Sequence, residues 1–164
     1  MKRFKGVSLV FACVLMVFPL CVPLRARDGD ARPAAGNKLS GKEAKAVAAI
    51  RAVMDAQAAA WNRGDIEGYM DGYARSDETV FVSGDRVTRG WQTVLDRYRK
   101  SYDTREKMGA LAFSELEINP VSKDAAVVLG RWQLTRAADS PHGRFTLIFR
   151  LTKQGWRIVH DHTS

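Results

Sequence analysis

His160 and His162 are the residues whose type and spacing point most directly to chemistry. They close the stretch Gly155-Trp156-Arg157-Ile158-Val159-His160-Asp161-His162-Thr163-Ser164. Trp156, Ile158, His160 and His162 recur at every second position, the period of one strand face. That face begins apolar and ends in two imidazoles, with Arg157, Val159 and Asp161 on the other side. An imidazole titrates near neutral pH, so it can give or take a proton or hold an anion. His160 is therefore the candidate catalytic acid or base, standing at the mouth of a pocket. The competing reading is a polar strand end bonded to backbone, and it weighs more on His162, so near the end of the sequence. A zinc site needs three or four protein ligands. The remaining histidine, His142, falls in a predicted loop and no carboxylate spacing completes a set, so no metal site is expected.

A pocket also needs walls. Tyr73, Trp91, Tyr98, Phe113, Trp132, Glu115 and His160 form the candidate ligand-binding set. Aromatic walls suit a small planar molecule, although most of these side chains also serve as ordinary core. The expected ligand is small and apolar or anionic, and nothing in the sequence calls for a cofactor. Glu115 shares the phase of Leu111 and Phe113. A carboxylate in such a pocket would have a raised pKa and could act as a base. A bulge in that strand would turn it to solvent instead.

The elements that must position these residues follow from period and punctuation. Ser40-Gly41-Lys42-Glu43 is a capping box. Val47, Ile50, Met54, Ala58 and Trp61 continue it as the apolar stripe of a long helix, stopped at Asn62-Arg63-Gly64. Asp65 caps a short second helix carrying Ile66, Tyr69, Met70 and Tyr73. Thr79–Val82 and Arg86–Thr88 form a small hairpin around Ser83-Gly84-Asp85. Gly90 opens a third helix with Trp91, Val94, Leu95, Tyr98 and Tyr102 on one face, and Lys107-Met108-Gly109 breaks the chain. Strands fill the rest. Leu111 and Phe113 sit in one phase, Leu116 and Ile118 in the other, which predicts a bulge between them. Runs over 125–135 and 145–151 and the closing strand complete an antiparallel meander, with Lys153-Gln154-Gly155 as the last turn. Helices first and a meander last define an α+β domain, its helices on one face of a bent sheet. Arg131, Gln133, Arg150 and Arg157 share the outer phase, where Asp161 or Glu117 would have to separate the arginines.

The chain has 164 residues and a formal net charge of +8. Five of those charges, Lys2, Arg3, Lys5, Arg25 and Arg27, precede residue 28, leaving +3 for the remainder. The basic pI therefore does not indicate a nucleic-acid partner. A basic start followed by apolar residues 7–22 has the form of a secretory signal, assigned here to residues 1–26, with a flexible linker at 27–39 and a folded domain at 40–164. The expected location is exported, periplasmic or secreted, with membrane attachment only if the leader is retained. Both cysteines, Cys13 and Cys21, lie in the leader, so the folded part contains no disulfide or thiolate chemistry.

Ala60-Trp61-Asn62-Arg63-Gly64-Asp65, Phe81-Val82-Ser83-Gly84, Thr88-Arg89-Gly90-Trp91 and the closing Gly155–Ser164 stretch, in this order of elements, resemble the nuclear transport factor 2-like superfamily. The likeness spans roughly residues 42–164. It is strongest to SnoaL-like members and to the association domain of calcium/calmodulin-dependent kinase II. The resemblance implies a cystatin-like α+β cone: a curved antiparallel sheet wrapped around three N-terminal helices, with a pocket at the wide end. It also implies a homodimer through the outer sheet face. Function varies widely within the superfamily. Steroid isomerases of this group use an aspartate on the first strand and a second acid as oxyanion donor. Here Val80-Phe81-Val82-Ser83 and residues 129–134 contain no acid. Two functions stay open: a ligand-binding or oligomerisation module, and a SnoaL- or isomerase-like enzyme using His160 on a small hydrophobic substrate.

Overall fold

The computed structural model describes residues 39–164, which form one compact unit. The expected signal (1–26) and all of the expected linker (27–39) except Leu39 lie outside the described residues. The elements run α1 (Gly41–Asn62), α2 (Ile66–Met70), β1 (Val80–Ser83), β2 (Arg86–Arg89), α3 (Trp91–Ser101), α4 (Arg105–Met108), β3 (Ala110–Pro120), β4 (Ala125–Thr135), β5 (His142–Thr152) and β6 (Gly155–Thr163).

The predicted capping box starts α1. Ser40 Oγ accepts from the Glu43 amide at 3.3 Å, and Glu43 Oε2 accepts from the Ser40 amide at 2.7 Å. Gly64, at φ 87°, ends the helix region in a conformation that favours glycine. The break expected near Lys107 contains a further short helix, α4. From it Arg105 donates to the carbonyls of Trp61 and Asn62 at 3.0 and 2.9 Å. It thus satisfies the acceptors exposed at the C-terminal end of α1, which has no basic residue in its own last turn.

One six-stranded sheet, ordered β2-β1-β6-β5-β4-β3, backs the helices. All neighbours are antiparallel except β1 and β6, which run parallel because the β1–β2 hairpin adds to the free edge of the meander. The inner face buries Val128, Phe149, Leu147 and Ile158 against Ile50, Met54 and Trp61 of α1. Burying each large apolar side chain is worth ~1.5–3 kcal/mol. The sheet therefore holds the helices by its inner face alone. Among the described residues no helix is long and apolar enough to cross a membrane.

Two bulges bend the sheet. In β3, Glu115 and Leu116 together face the single Gly130 between the pairs Ser114–Arg131 and Glu117–Leu129. This is the bulge that the phase switch predicted. In β6, Val159 is the extra residue between the pairs Phe149–Ile158 and Ile148–His160. A one-residue insertion moves every following side chain to the opposite face.

Candidate functional site

The β6 bulge decides which groups reach the interior. Trp156 and Ile158 point into the core, as their period implies. Beyond Val159 the phase is inverted. Asp161 now pairs across from Leu147 and Phe81 on the inner face and is only 5% exposed. His160 and His162 pair with Ile148 and Thr146 on the outer face. The expectation that His160 stands at the pocket mouth is therefore corrected: Asp161 occupies the inward position. The sequence period was right for Trp156 and Ile158 and failed one residue later.

Asp161 lies in the wall of a cavity of about 210 Å³ between the sheet and the helices. The buried floor is made by Met54, Gln57, Trp61, Tyr69, Tyr73, Leu147 and Ile158. The partly exposed rim holds Ser83, Arg97, Tyr102, Phe113, Trp132 and Thr163. Aromatic rings brace one another around it. Trp61 meets Tyr102 and Tyr69 edge-on at centroid distances of 4.7 and 5.1 Å. Tyr98 lies 5.3 Å from Tyr69 and 5.7 Å from Phe81. Such pairs add ~0.5–1.5 kcal/mol each beyond burial, which favours a rigid wall.

The Tyr73 hydroxyl donates to Asp161 Oδ2 at 2.6 Å. The other carboxyl oxygen, Oδ1, is buried without a partner among the described residues, as is Gln57 Oε1. The Gln57 amide nitrogen donates to the Tyr69 carbonyl at 3.0 Å. Burial raises the Asp161 carboxyl from its ordinary 3.8 to about 7, against the smaller lowering effect of the Tyr73 hydrogen bond. Burial, followed by the Asp161 charge, pushes the Tyr73 phenol well above its ordinary value. Burial also raises Tyr69 and Tyr98. Near neutral pH the phenols therefore remain donors while Asp161 exchanges its proton.

Of the residues predicted from sequence, Tyr73, Tyr98, Phe113 and Trp132 line this cavity. Three do not. Trp91 donates its indole N–H to the Met70 carbonyl at 2.9 Å and carries the Arg75 guanidinium over its ring, which locks α3 onto the end of α2. Glu115 is turned out by the β3 bulge and pairs with Arg144 at 2.6 Å. His160 lies on the outer face. Asp161, Tyr69, Gln57 and Arg97 are additional lining residues. The adjacent apolar pair Ile158-Val159 is the one sequence signal of the β6 bulge, and it is weak. Among the described residues no cluster of three or more His, Cys, Asp or Glu is placed to hold a metal ion.

A curved sheet closing on helices around an acid-bearing aromatic cavity defines the class of protein. The SnoaL-like domain family matches residues 50–164, and the chain belongs to that family, within the nuclear transport factor 2-like superfamily. No curated protein matches the chain. A nuclear transport factor 2-like protein of unknown function from Shewanella oneidensis is 38% identical. The match covers 72% of this chain and 98% of that one, with a TM-score of 0.70. A candidate calcium/calmodulin-dependent protein kinase II association domain from Xanthomonas campestris is 17% identical over 70% of this chain and 84% of its own, at TM-score 0.57. A candidate scytalone dehydratase from Novosphingobium aromaticivorans is 11% identical over 76% and 87%, at 0.65. At these last two identities the likeness is one of fold.

Proposed function

We propose that the cavity binds a small, largely apolar molecule and moves a proton on it, with Asp161 as acid and base. One observation carries this: Asp161 is buried in the cavity wall with Oδ2 held by Tyr73 and Oδ1 left without a partner. A carboxyl kept only for structure would have both oxygens satisfied, since an orphaned buried polar atom costs ~1–3 kcal/mol. Oδ1 takes a proton from an acidic C–H or O–H of the ligand. Asp161 holds it as the neutral acid, and Oδ1 returns it to another atom of the same ligand. A carboxyl titrating near 7 does both at neutral pH. Tyr73 orients the carboxyl throughout. The fold shared with a candidate scytalone dehydratase is compatible with proton-transfer chemistry, but the reading rests on Asp161.

Two tests address it. A pH titration of the Asp161 carboxyl by NMR should give a midpoint near 7, and a midpoint near 4 would sink the reading. In D2O, the protein should also catalyse exchange at the acidic C–H of small cyclic ketones, and Asp161→Asn should abolish the exchange.

The outer sheet face favours a second, compatible role in assembly. Leu129 and Ile148 are each 38% exposed on it, flanked by Arg131, Arg144 and Arg150. Glu115 and Asp124 pair with Arg144 and Arg150, which lowers the repulsion between those arginines. In this reading two copies pack these faces together as a homodimer. Sedimentation as a dimer at micromolar concentration, shifted to monomer by Ile148→Glu, is the expected result. Export of the chain belongs to the same proposal, and cell fractionation with mass measurement of the recovered N-terminus tests it.

A further inference from the structure

Arg97 has an unusual setting for a cation. It projects from α3 into the cavity rim, is only partly exposed, and among the described residues has no carboxylate within ion-pair distance. Its neighbour on the same helix, Arg99, pairs with Glu67 and Asp96. Arg97 is instead steadied by two neutral contacts: Nη1 donates to Thr88 Oγ1 at 3.0 Å, and the guanidinium lies 4.9 Å from the centroid of the Phe81 ring. A guanidinium has five donors in a planar fork matched to a carboxylate. Among the described residues most of that fork is free, and the Ser83 and Ser101 hydroxyls share the cavity lining with it.

The Asp161 carboxyl is a separate pole. Burial raises its pKa and the Tyr73 hydrogen bond lowers it by less. The cavity thus has a cation at the partly exposed rim, aromatic walls between, and among its buried lining residues Gln57 and Asp161, whose Oε1 and Oδ1 have no partner among the described residues. Its size is limiting as well. An apolar cavity of ~150 Å³ accepts a benzene molecule, so about 210 Å³ holds one ring with small substituents.

From this arrangement we infer that the ligand is a single-ring carboxylate anion, held by its carboxylate at Arg97 and presenting a hydrogen-bond donor to the unpartnered oxygens at the floor. The inference rests on the cavity reading above and adds the substrate class to it. Burying an anion at this site requires the arginine, because an unpaired charge is too costly to desolvate. Reaching the floor requires a donor, because two buried acceptors await one.

Binding of 4-hydroxybenzoate and of its neutral analogue 4-hydroxybenzamide to the full chain, followed by tryptophan fluorescence and calorimetry at pH 7, tests this. The anion should bind at least about tenfold more tightly than the amide, the scale of one charge-assisted contact. Arg97→Met should erase that preference, whereas Arg97→Lys should keep part of it. Thermal melts of both variants check that they fold. Benzoate, which lacks the donor, should bind more weakly than 4-hydroxybenzoate. Equal binding of anion and amide overturns the inference, and so does a preference that survives Arg97→Met in a folded variant. Failure of both probes to bind at millimolar concentration overturns it too. The Asp161 titration separates that failure from failure of the cavity reading, because a midpoint near 7 leaves the proton-transfer site standing.

Discussion

The two bulges use the same device with opposite results. Each inserts one residue and inverts the phase of its strand. In β3 the inserted residue, Glu115 at φ 52°, is expelled to the outer face, where its carboxylate meets Arg144 in water. In β6 the insertion of Val159 turns an acid inward, so Asp161 sits among Leu147, Phe81 and Tyr73 with a phenol as its only partner among the described residues. The first carboxylate contributes little beyond solubility, because an exposed ion pair is worth ~0–1 kcal/mol. The second is costly to ionise and so titrates near neutral pH. The contrast teaches that a carboxylate's chemistry here is set by the face on which a bulge leaves it, while residue type is nearly irrelevant.

The comparison can be broken most forcefully at the β6 bulge itself. Deleting Val159 would join the pairs Phe149–Ile158 and Ile148–His160 into one unbroken ladder, removing the bend while Asp161 stays inward. Loss of cooperative unfolding, or a stability drop on the order of 4 kcal/mol, is expected in urea melts followed by circular dichroism. Wild-type stability retained in this deletion would mean that the bend at Val159 does not support the core packing.

Asp161→Asn comes next. A carboxyl whose folded pKa is raised binds more protons in the folded state than in the unfolded one. Its effect on stability is absent below about pH 4. Stability is then lost progressively as pH rises towards 7, and the full cost persists above 7. The rise from 3.8 to about 7 corresponds to about 4 kcal/mol as an upper value. The asparagine variant should therefore be more stable than the parent at pH 8 by up to that amount and nearly equal to it at pH 4. Proton-transfer activity should be lost. Denaturant melts at the two pH values check the sign.

Tyr73→Phe should have a smaller effect, about 2 kcal/mol of destabilisation at pH 8, because the ionised Asp161 loses its one donor. The same variant should move the Asp161 midpoint above about 7, since the Tyr73 hydrogen bond lowers it. NMR titration of the carboxyl reads this directly, and an unchanged midpoint would remove Tyr73 from the site. Glu115→Gln should change stability least, by less than about 1 kcal/mol and less still at high salt. A larger loss would make the β3 bulge a second electrostatic anchor.

The sequence by itself determined most of the elements, their order and four aromatic residues of the cavity wall. The capping box at Ser40, the stripe from Ile50 to Trp61, the phase switch at Leu116 and the last hairpin turn are local patterns with local causes, and the structure contains them. Tyr73, Tyr98, Phe113 and Trp132 were legible because burial follows period. Only the tertiary structure decided which acid or imidazole enters the cavity. The bulge at Val159 arises from the register between β5 and β6 while β6 also pairs with β1, and no residue within β6 encodes that register alone. Arg97 was equally hidden, since what distinguishes it from Arg99 is a missing partner from elsewhere in the chain. A strand's face is readable from its sequence only until a register set by other strands inverts it, and in this protein that inversion replaces His160 with Asp161.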